Sequence, residues 1–287
     1  MLYNSILSST IFASNSFISN VRRPVFHNIV MQASNKSMRK LEFDSIIQNQ
    51  SKAIPHYKPR GSNQQKYVRY LNNPDISLII GCGPAGTGKT LFACATAVQE
   101  LKSGSVNKIV LTRPVVTVEE DIGYLPGTIN NKMHPWTRPI FDIFEEFYSS
   151  KDIDAMIHSG IIEISPLAFM RGRTFKNAFI IADEMQNSSP NQMFMLTTRI
   201  GHGSRMVITG DIKQSDRCED NGLSHITKLV QDSQRTHDIR AVKLTNSDVE
   251  RSKVVSNILK LYSSTTYADN NEPHGRYSVF SLMDKNE

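Results

Sequence analysis

The stretch Gly83-Pro-Ala-Gly-Thr-Gly-Lys-Thr90 follows the apolar run Ile76 to Ile80 and precedes the helix-like stretch Leu91 to Leu101. Strand, glycine-rich loop and helix in that order make a P-loop, whose backbone N–H groups converge on one concavity that holds phosphate oxygens. Gly83, Pro84, Ala85, Gly86, Thr87 and Gly88 form the cradle, and Gly86 and Gly88 allow its curvature. Lys89 is placed to reach the β- and γ-phosphates as a point charge, and the Thr90 hydroxyl to complete an Mg²⁺ shell. The chain reads as a nucleotide phosphate binder.

A second motif separates a hydrolase from a mere binder. Ala178-Phe-Ile-Ile-Ala182 is continuously apolar, as a strand covered on both faces is, and it ends in Asp183-Glu184. Alone, such a pair reads as the cap of the following helix. Beside a P-loop it reads as a Walker B pair, with Asp183 holding Mg²⁺ directly or through water and Glu184 polarising an attacking water. A third apolar run, Met206-Val-Ile-Thr-Gly210, leads into Asp211 and Gln214. Gln214 is suited to hydrogen-bond a γ-phosphate or the lytic water. In an open parallel sheet ligands bind beyond the carboxyl ends of the strands, so the three motifs are expected on one edge.

Further motifs occur in order between and around these: Asn63-Gln64 with Tyr67, Leu111-Thr-Arg-Pro114, Gly123-Tyr-Leu-Pro-Gly127, Arg138-Pro139, Pro166-Leu-Ala-Phe-Met-Arg-Gly-Arg-Thr174, Asp183-Glu-Met-Gln-Asn187, Leu196-Thr-Thr-Arg-Ile-Gly201 and Asp248-Val-Glu-Arg251. From about Pro59 to Tyr262 the sequence resembles the PhoH-like ATPase family, related to the core of superfamily 1 helicases. It departs from the family at Met185, where a small residue is usual, and at Arg217-Cys218-Glu219, which replaces an apolar-proline step. The resemblance implies a RecA-like P-loop NTPase fold and Mg²⁺-dependent hydrolysis of ATP to ADP and phosphate, coupled to RNA binding or remodelling. It implies that Gln64 offers a donor and an acceptor to adenine, although the residues alone read as a solvated side chain before a helix. Arg251 resembles a γ-phosphate-contacting arginine and reads equally as one half of a surface ion pair.

The 287 residues suffice for one sizeable α/β domain but not for the paired RecA-like domains of a monomeric helicase. A homo-oligomer, such as a ring in which a neighbour completes the site, is therefore expected. Arg113, Arg138, Arg171, Arg173 and Arg199 are candidates for the shared arginine, and each reads equally as an RNA contact or an ion pair. A nucleotide-gated RNA-binding or assembly module with slow turnover is the second functional class. A phosphotransferase is a third, for which no acceptor pocket or lid motif is evident.

The net charge of +6 suggests a nucleic-acid partner, yet five of those charges (Arg22, Arg23, Lys36, Arg39 and Lys40) lie in residues 1–40, which contain no acid. Local candidates for RNA are Arg171-Gly-Arg173 and His134-Pro-Trp136, although Trp136 reads better as a packing residue than as a stacking one. Residues 1–40 fit an organellar transit peptide, or equally a disordered arm with translation starting at Met31 or Met38. A soluble, cytoplasmic-type protein is expected, or an organelle matrix or stromal one if the leader is a transit peptide. No apolar run approaches the ~20 residues that cross a bilayer. Cys82, Cys94 and Cys218 lack metal or disulfide spacing, Cys82 reads as a small buried residue, and no cofactor besides Mg²⁺ and ATP is implied.

The expected organisation is a basic leader at 1–40, a linker and adenine-side extension at 41–75, an ATPase core at 76–263 and a flexible tail at 264–287. The fold class is α/β, with a mostly parallel central sheet flanked by helices. Strands are expected near 76–81, 108–112, 161–165, 178–182, 205–209 and 239–244, and helices near 88–102, 137–150, 190–199, 222–232 and 248–262. The segment from Pro114 to Pro139 is expected to form a lobe or an oligomer contact.

Overall fold

Runs such as Leu78–Cys82 and Ala178–Ala182 carry apolar side chains on both faces, so they are stable only when both faces are covered. The computed structural model describes residues 55, 57–114, 129–215, 221–233, 237–250, 254 and 257, without the side chains of 129–136. In it these runs become β1 (Leu78–Cys82), β2 (Lys108–Thr112), β3 (Ile162–Ile164), β4 (Ala178–Ala182), β5 (Arg205–Gly210) and β6 (Ile239–Lys243). All pair in parallel, in the spatial order β3-β2-β4-β5-β1-β6. The expected mostly parallel sheet of the RecA-like P-loop class is present.

Side chains alternate between two cores, as a period of two requires. Ile79, Ile109, Leu111, Phe179, Ile181 and Val207 face one side. They meet α1 (Ser62–Leu71), α2 (Lys89–Lys102), α3 (Ile129–Phe144) and α4 (Ser150–Ser159). Leu78, Ile80, Val110, Ile180, Met206 and Ile208 face the other side, covered by α5 (Pro190–Thr197) and α6 (Gly222–Asp232). Met185, the departure noted in the acid motif, is fully buried in this second core.

Local chemistry sets the helix ends. α2 starts where Gly88 adopts φ 79°, ψ 10°, a left-handed conformation that glycine takes without penalty. α5 opens on Ser189, whose hydroxyl accepts from the Gln192 N–H, with Pro190 in the first turn. α4 has the same box from Ser149 and Asp152 and stops at left-handed Gly160.

Helices α1 and α4 correct the expected segmentation, which placed a linker over the first and nothing over the second. α3 begins at Ile129 rather than near 137 and continues through Pro135 and Pro139, residues that normally argue against a helix interior. The expected leader and tail lie outside the described residues; of the expected 248–262 helix, Asn246–Asp248 forms a 3₁₀ turn at its start, Val249 and Glu250 are not helical, and of the rest only Val254 and Asn257 are described, both helical. Of the expected lobe, residues 115–128 lie outside the description, Pro114 follows β2, and residues 129–139 belong to α3. No described helix is long and apolar enough to cross a membrane.

Candidate nucleotide site

Strands β4, β5 and β1 are adjacent, so their carboxyl ends bring the acid pair, the Gly210-Asp211 turn and the P-loop to one edge. Thr90 Oγ1 donates to Asp183 Oδ1 at 2.8 Å, and Thr209 Oγ1 donates to the same oxygen. Asp183 is 5% exposed, and its own N–H donates to Thr112 O at 3.0 Å. Glu184 stands at the N-cap of the short 3₁₀ turn Met185–Asn187 but makes no side-chain cap hydrogen bond, and α5 is capped by Ser189. Among the described residues no cluster of three or more His, Cys, Asp or Glu could hold a metal. One carboxylate beside one hydroxyl suits Mg²⁺, which keeps most of its waters and takes the remaining oxygens from phosphate.

Lys89 Nζ donates to Gly83 O at 2.6 Å and Pro84 O at 2.8 Å. Burial pulls its pKa below the ordinary lysine value, against the raising influence of Glu184, Asp211 and Asp183. Its ammonium thus sits half-desolvated among three carboxylates, where its field on an anion is little screened. Beneath it, Tyr67 is fully buried and its hydroxyl donates to Lys89 O at 3.2 Å. Burial pushes the Cys82 thiol up to about 11, which keeps it protonated and supports its reading as a small buried residue.

Gln64 is 2% exposed, not solvated. Its amide N donates to Thr87 O at 3.3 Å and Asp248 O at 3.1 Å, while its amide O accepts from the Arg60 and Gly61 N–H groups at 2.7 and 3.3 Å. That is the full capacity of a carboxamide. It clamps α1 to the P-loop. Beside it opens a cavity of about 750 Å³ lined by Tyr57, Arg60, Gln64, Leu91, Phe92 and Glu250. Burial raises the pKa of the Asp248 carboxyl, but donors from Asn63 and Thr245 outweigh it and hold the group below its ordinary value.

Glu184 has φ 53°, ψ 42°, a left-handed conformation that costs a non-glycine residue on the order of 1 kcal/mol. Its carboxylate accepts from the Gln186 amide at 2.6 Å. Asp211 is buried and accepts from the Lys213 N–H at 3.1 Å, while Gln214 lies exposed at the end of the same turn. Gln186 and Thr209 are the contacts that sequence reasoning missed. Both stand inside quoted motifs, but only the fold shows what they touch.

Arg251 lies outside the described residues. Among the candidate shared arginines, Arg138 pairs with Asp142 at 2.8 Å, Arg173 pairs with Glu163 and stacks over Phe175, and Arg199 donates to Met195 O and Arg173 O. These three already serve their own chain. Arg113 is half-buried directly after β2, and Arg171 is exposed. The side chains of His134 and Trp136 are outside the description.

The profile of the PhoH-like protein family matches residues 56–263, which includes every element of this edge. The chain belongs to the PhoH-like protein family. It is 38% identical over 243 residues to the PhoH-like protein of Mycobacterium bovis, covering 83% of this chain and 67% of that one. It is 41% identical over 201 residues to the PhoH-like protein of Bacillus subtilis, covering 69% of this chain and 61% of the relative. Among solved structures, the Pif1 helicase from Candida albicans aligns with TM-score 0.36 and 14% identity over 72% of this chain and 44% of that one, a likeness on which no argument rests. Membership and the P-loop edge make this PhoH-like chain a nucleotide-binding P-loop NTPase.

Proposed function

We propose that this PhoH-like protein is an Mg²⁺-dependent ATPase that releases ADP and phosphate. The observation that carries the reading is the hydrogen bond from Thr90 to Asp183, which joins the two metal-side oxygens while Lys89 and Glu184 stand at the same edge. Bound Mg²⁺ would neutralise phosphate charge as the terminal P–O bond breaks. The loop N–H groups and Lys89 hold the phosphates, and Thr90 and Asp183 would hold the metal. Glu184 takes the proton of the attacking water, and Gln214 turns toward the γ-phosphate or that water. Adenine occupies the cavity beside α1. Gln64 would reach the base only by exchanging a backbone partner, so the walls of the cavity dominate adenine selection.

Coupling to RNA is part of the same proposal. It is supported by Phe169 and Phe194, which are 58% and 72% exposed on adjoining segments, with exposed Arg171 beside Phe169 in the chain. Exposed rings and an exposed guanidinium on neighbouring segments suit stacked, single-stranded bases.

The test is phosphate release with and without Mg²⁺, and with and without RNA, for wild type, Lys89→Ala and Glu184→Gln. The proposal expects Mg²⁺-dependent release from wild type and release near background from both variants. Equal release from all three would overturn the hydrolytic assignment and the role of Glu184.

A further inference from the structure

Gln186 is 4% exposed, and both ends of its side-chain amide are engaged. Its Nε2 donates to Glu184 Oε2 at 2.6 Å, and its Oε1 accepts the Asp211 N–H at 3.2 Å. The backbone is pinned as well, since Gln186 O accepts from the Ser215 hydroxyl at 2.9 Å. Gly210 permits the approach, because a Cβ there would stand 2.6 Å from Gln186 Oε1 and 2.7 Å from the Leu223 side chain. The left-handed turn at Glu184 brings Glu184 and Gln186, only two residues apart, back onto each other.

We infer that Gln186 is a positioning residue that fixes the Glu184 carboxylate and ties it to the Gly210-Asp211 turn. The inference rests on the proposed role of Glu184 in water activation. The chemistry requires an amide here. Only a carboxamide of this length presents a donor to one carboxylate and an acceptor to a backbone N–H 25 residues away in sequence. The bridge joins two parts of the site. When the turn that begins at Asp211 and carries Gln214 shifts, the acceptor end of Gln186 shifts with it, and Glu184 moves. Contact at the γ-phosphate side is thereby converted into alignment of the base.

Two variants separate this role from packing. Gln186→Glu keeps the shape and the acceptor for Asp211 N–H but turns a second carboxylate toward Glu184, and Gln186→Met removes both polar ends at similar volume. Each is expected to lower kcat roughly 10- to 100-fold, the scale of a misplaced reacting group, with KM for ATP and ADP affinity within about twofold of wild type. In the Glu184→Gln background the same substitutions are expected to cause no further loss, because contacting residues that act as one unit are not additive.

A wild-type kcat in Gln186→Glu, with Glu184→Gln impaired, overturns the inference and leaves the hydrolysis proposal intact. So does a fall in kcat from the Gln186 substitutions that is undiminished in the Glu184→Gln background. A wild-type rate in Glu184→Gln itself overturns both. Thermal melting of each variant guards the comparison, and Gln186→Glu, which retains the contact to Asp211, serves where Gln186→Met fails to fold.

Discussion

Asp183 Oδ1 accepts two hydroxyl donors, one from α2 through Thr90 and one from β5 through Thr209, so its position is fixed from the P-loop helix and from the adjacent strand. Thr209→Val keeps the volume and removes one donor. Turnover is expected to fall about tenfold with nucleotide affinity retained, as for a displaced catalytic group, in phosphate-release and fluorescent-ADP titrations. Unchanged turnover would show that Thr90 alone suffices. The positions of Lys89 and Thr90 were legible in the sequence because their spacing within a strand, loop and helix dictates them, and that of Asp183 because it ends a continuously apolar run. Gln64 was only half legible. Its motif was visible, but its burial and its four backbone partners depend on residues as distant as Asp248. Gln186 was illegible as a contact because it requires the left-handed turn at Glu184.

At the scale of elements, the connection from α1 to β1 is held to the sheet by Arg205 at the start of β5. Its guanidinium donates to Ile76 O and Asn73 O, both at 2.9 Å, and pairs with Glu100 on α2, with side chains only 10% and 16% exposed. Arg205→Met strands a nearly buried carboxylate, and a loss of about 3 kcal/mol of stability is expected in denaturant unfolding at neutral pH. Burial already raises the Glu100 pKa above its ordinary value, against the lowering effect of Arg205. A carboxyl with a raised folded-state pKa is favoured when protonated, so its contribution is lost as pH rises. The deficit of Arg205→Met should therefore shrink at about pH 4 relative to about pH 8. A deficit independent of pH would place the effect in packing.

The strands were legible as apolar runs bounded by turn residues, and α2, α5 and α6 from their periodicity and caps. α1 was missed because only Gln64, Tyr67 and Leu71 of its ten residues are buried and it opens on Gly61 rather than on a capping side chain. α4 did carry readable signals, Ser149 with Asp152 and then Gly160, which the neighbouring strand pattern masked. Strand order was not legible. Runs equally apolar on both faces do not specify their neighbours.

For the whole molecule, the chain spans 67% and 61% of the lengths of the Mycobacterium bovis and Bacillus subtilis relatives, and the described residues hold one P-loop sheet. The proposed shared site predicts a homo-oligomer in size separation with mass detection, with and without ATP, and a strict monomer would contradict it. With Arg138, Arg173 and Arg199 bound within their own chain, the exposed Arg171 is the first arginine to replace when seeking the shared cation. If the P-loop holds Mg²⁺-ATP and Glu184 enables its cleavage, the nucleotide recovered from the protein reveals both. After incubation with labelled ATP and Mg²⁺ and rapid desalting, wild type should carry ADP, Glu184→Gln intact ATP, and Lys89→Ala almost no label. ADP on Glu184→Gln at the wild-type level, or full labelling of Lys89→Ala, would contradict the account.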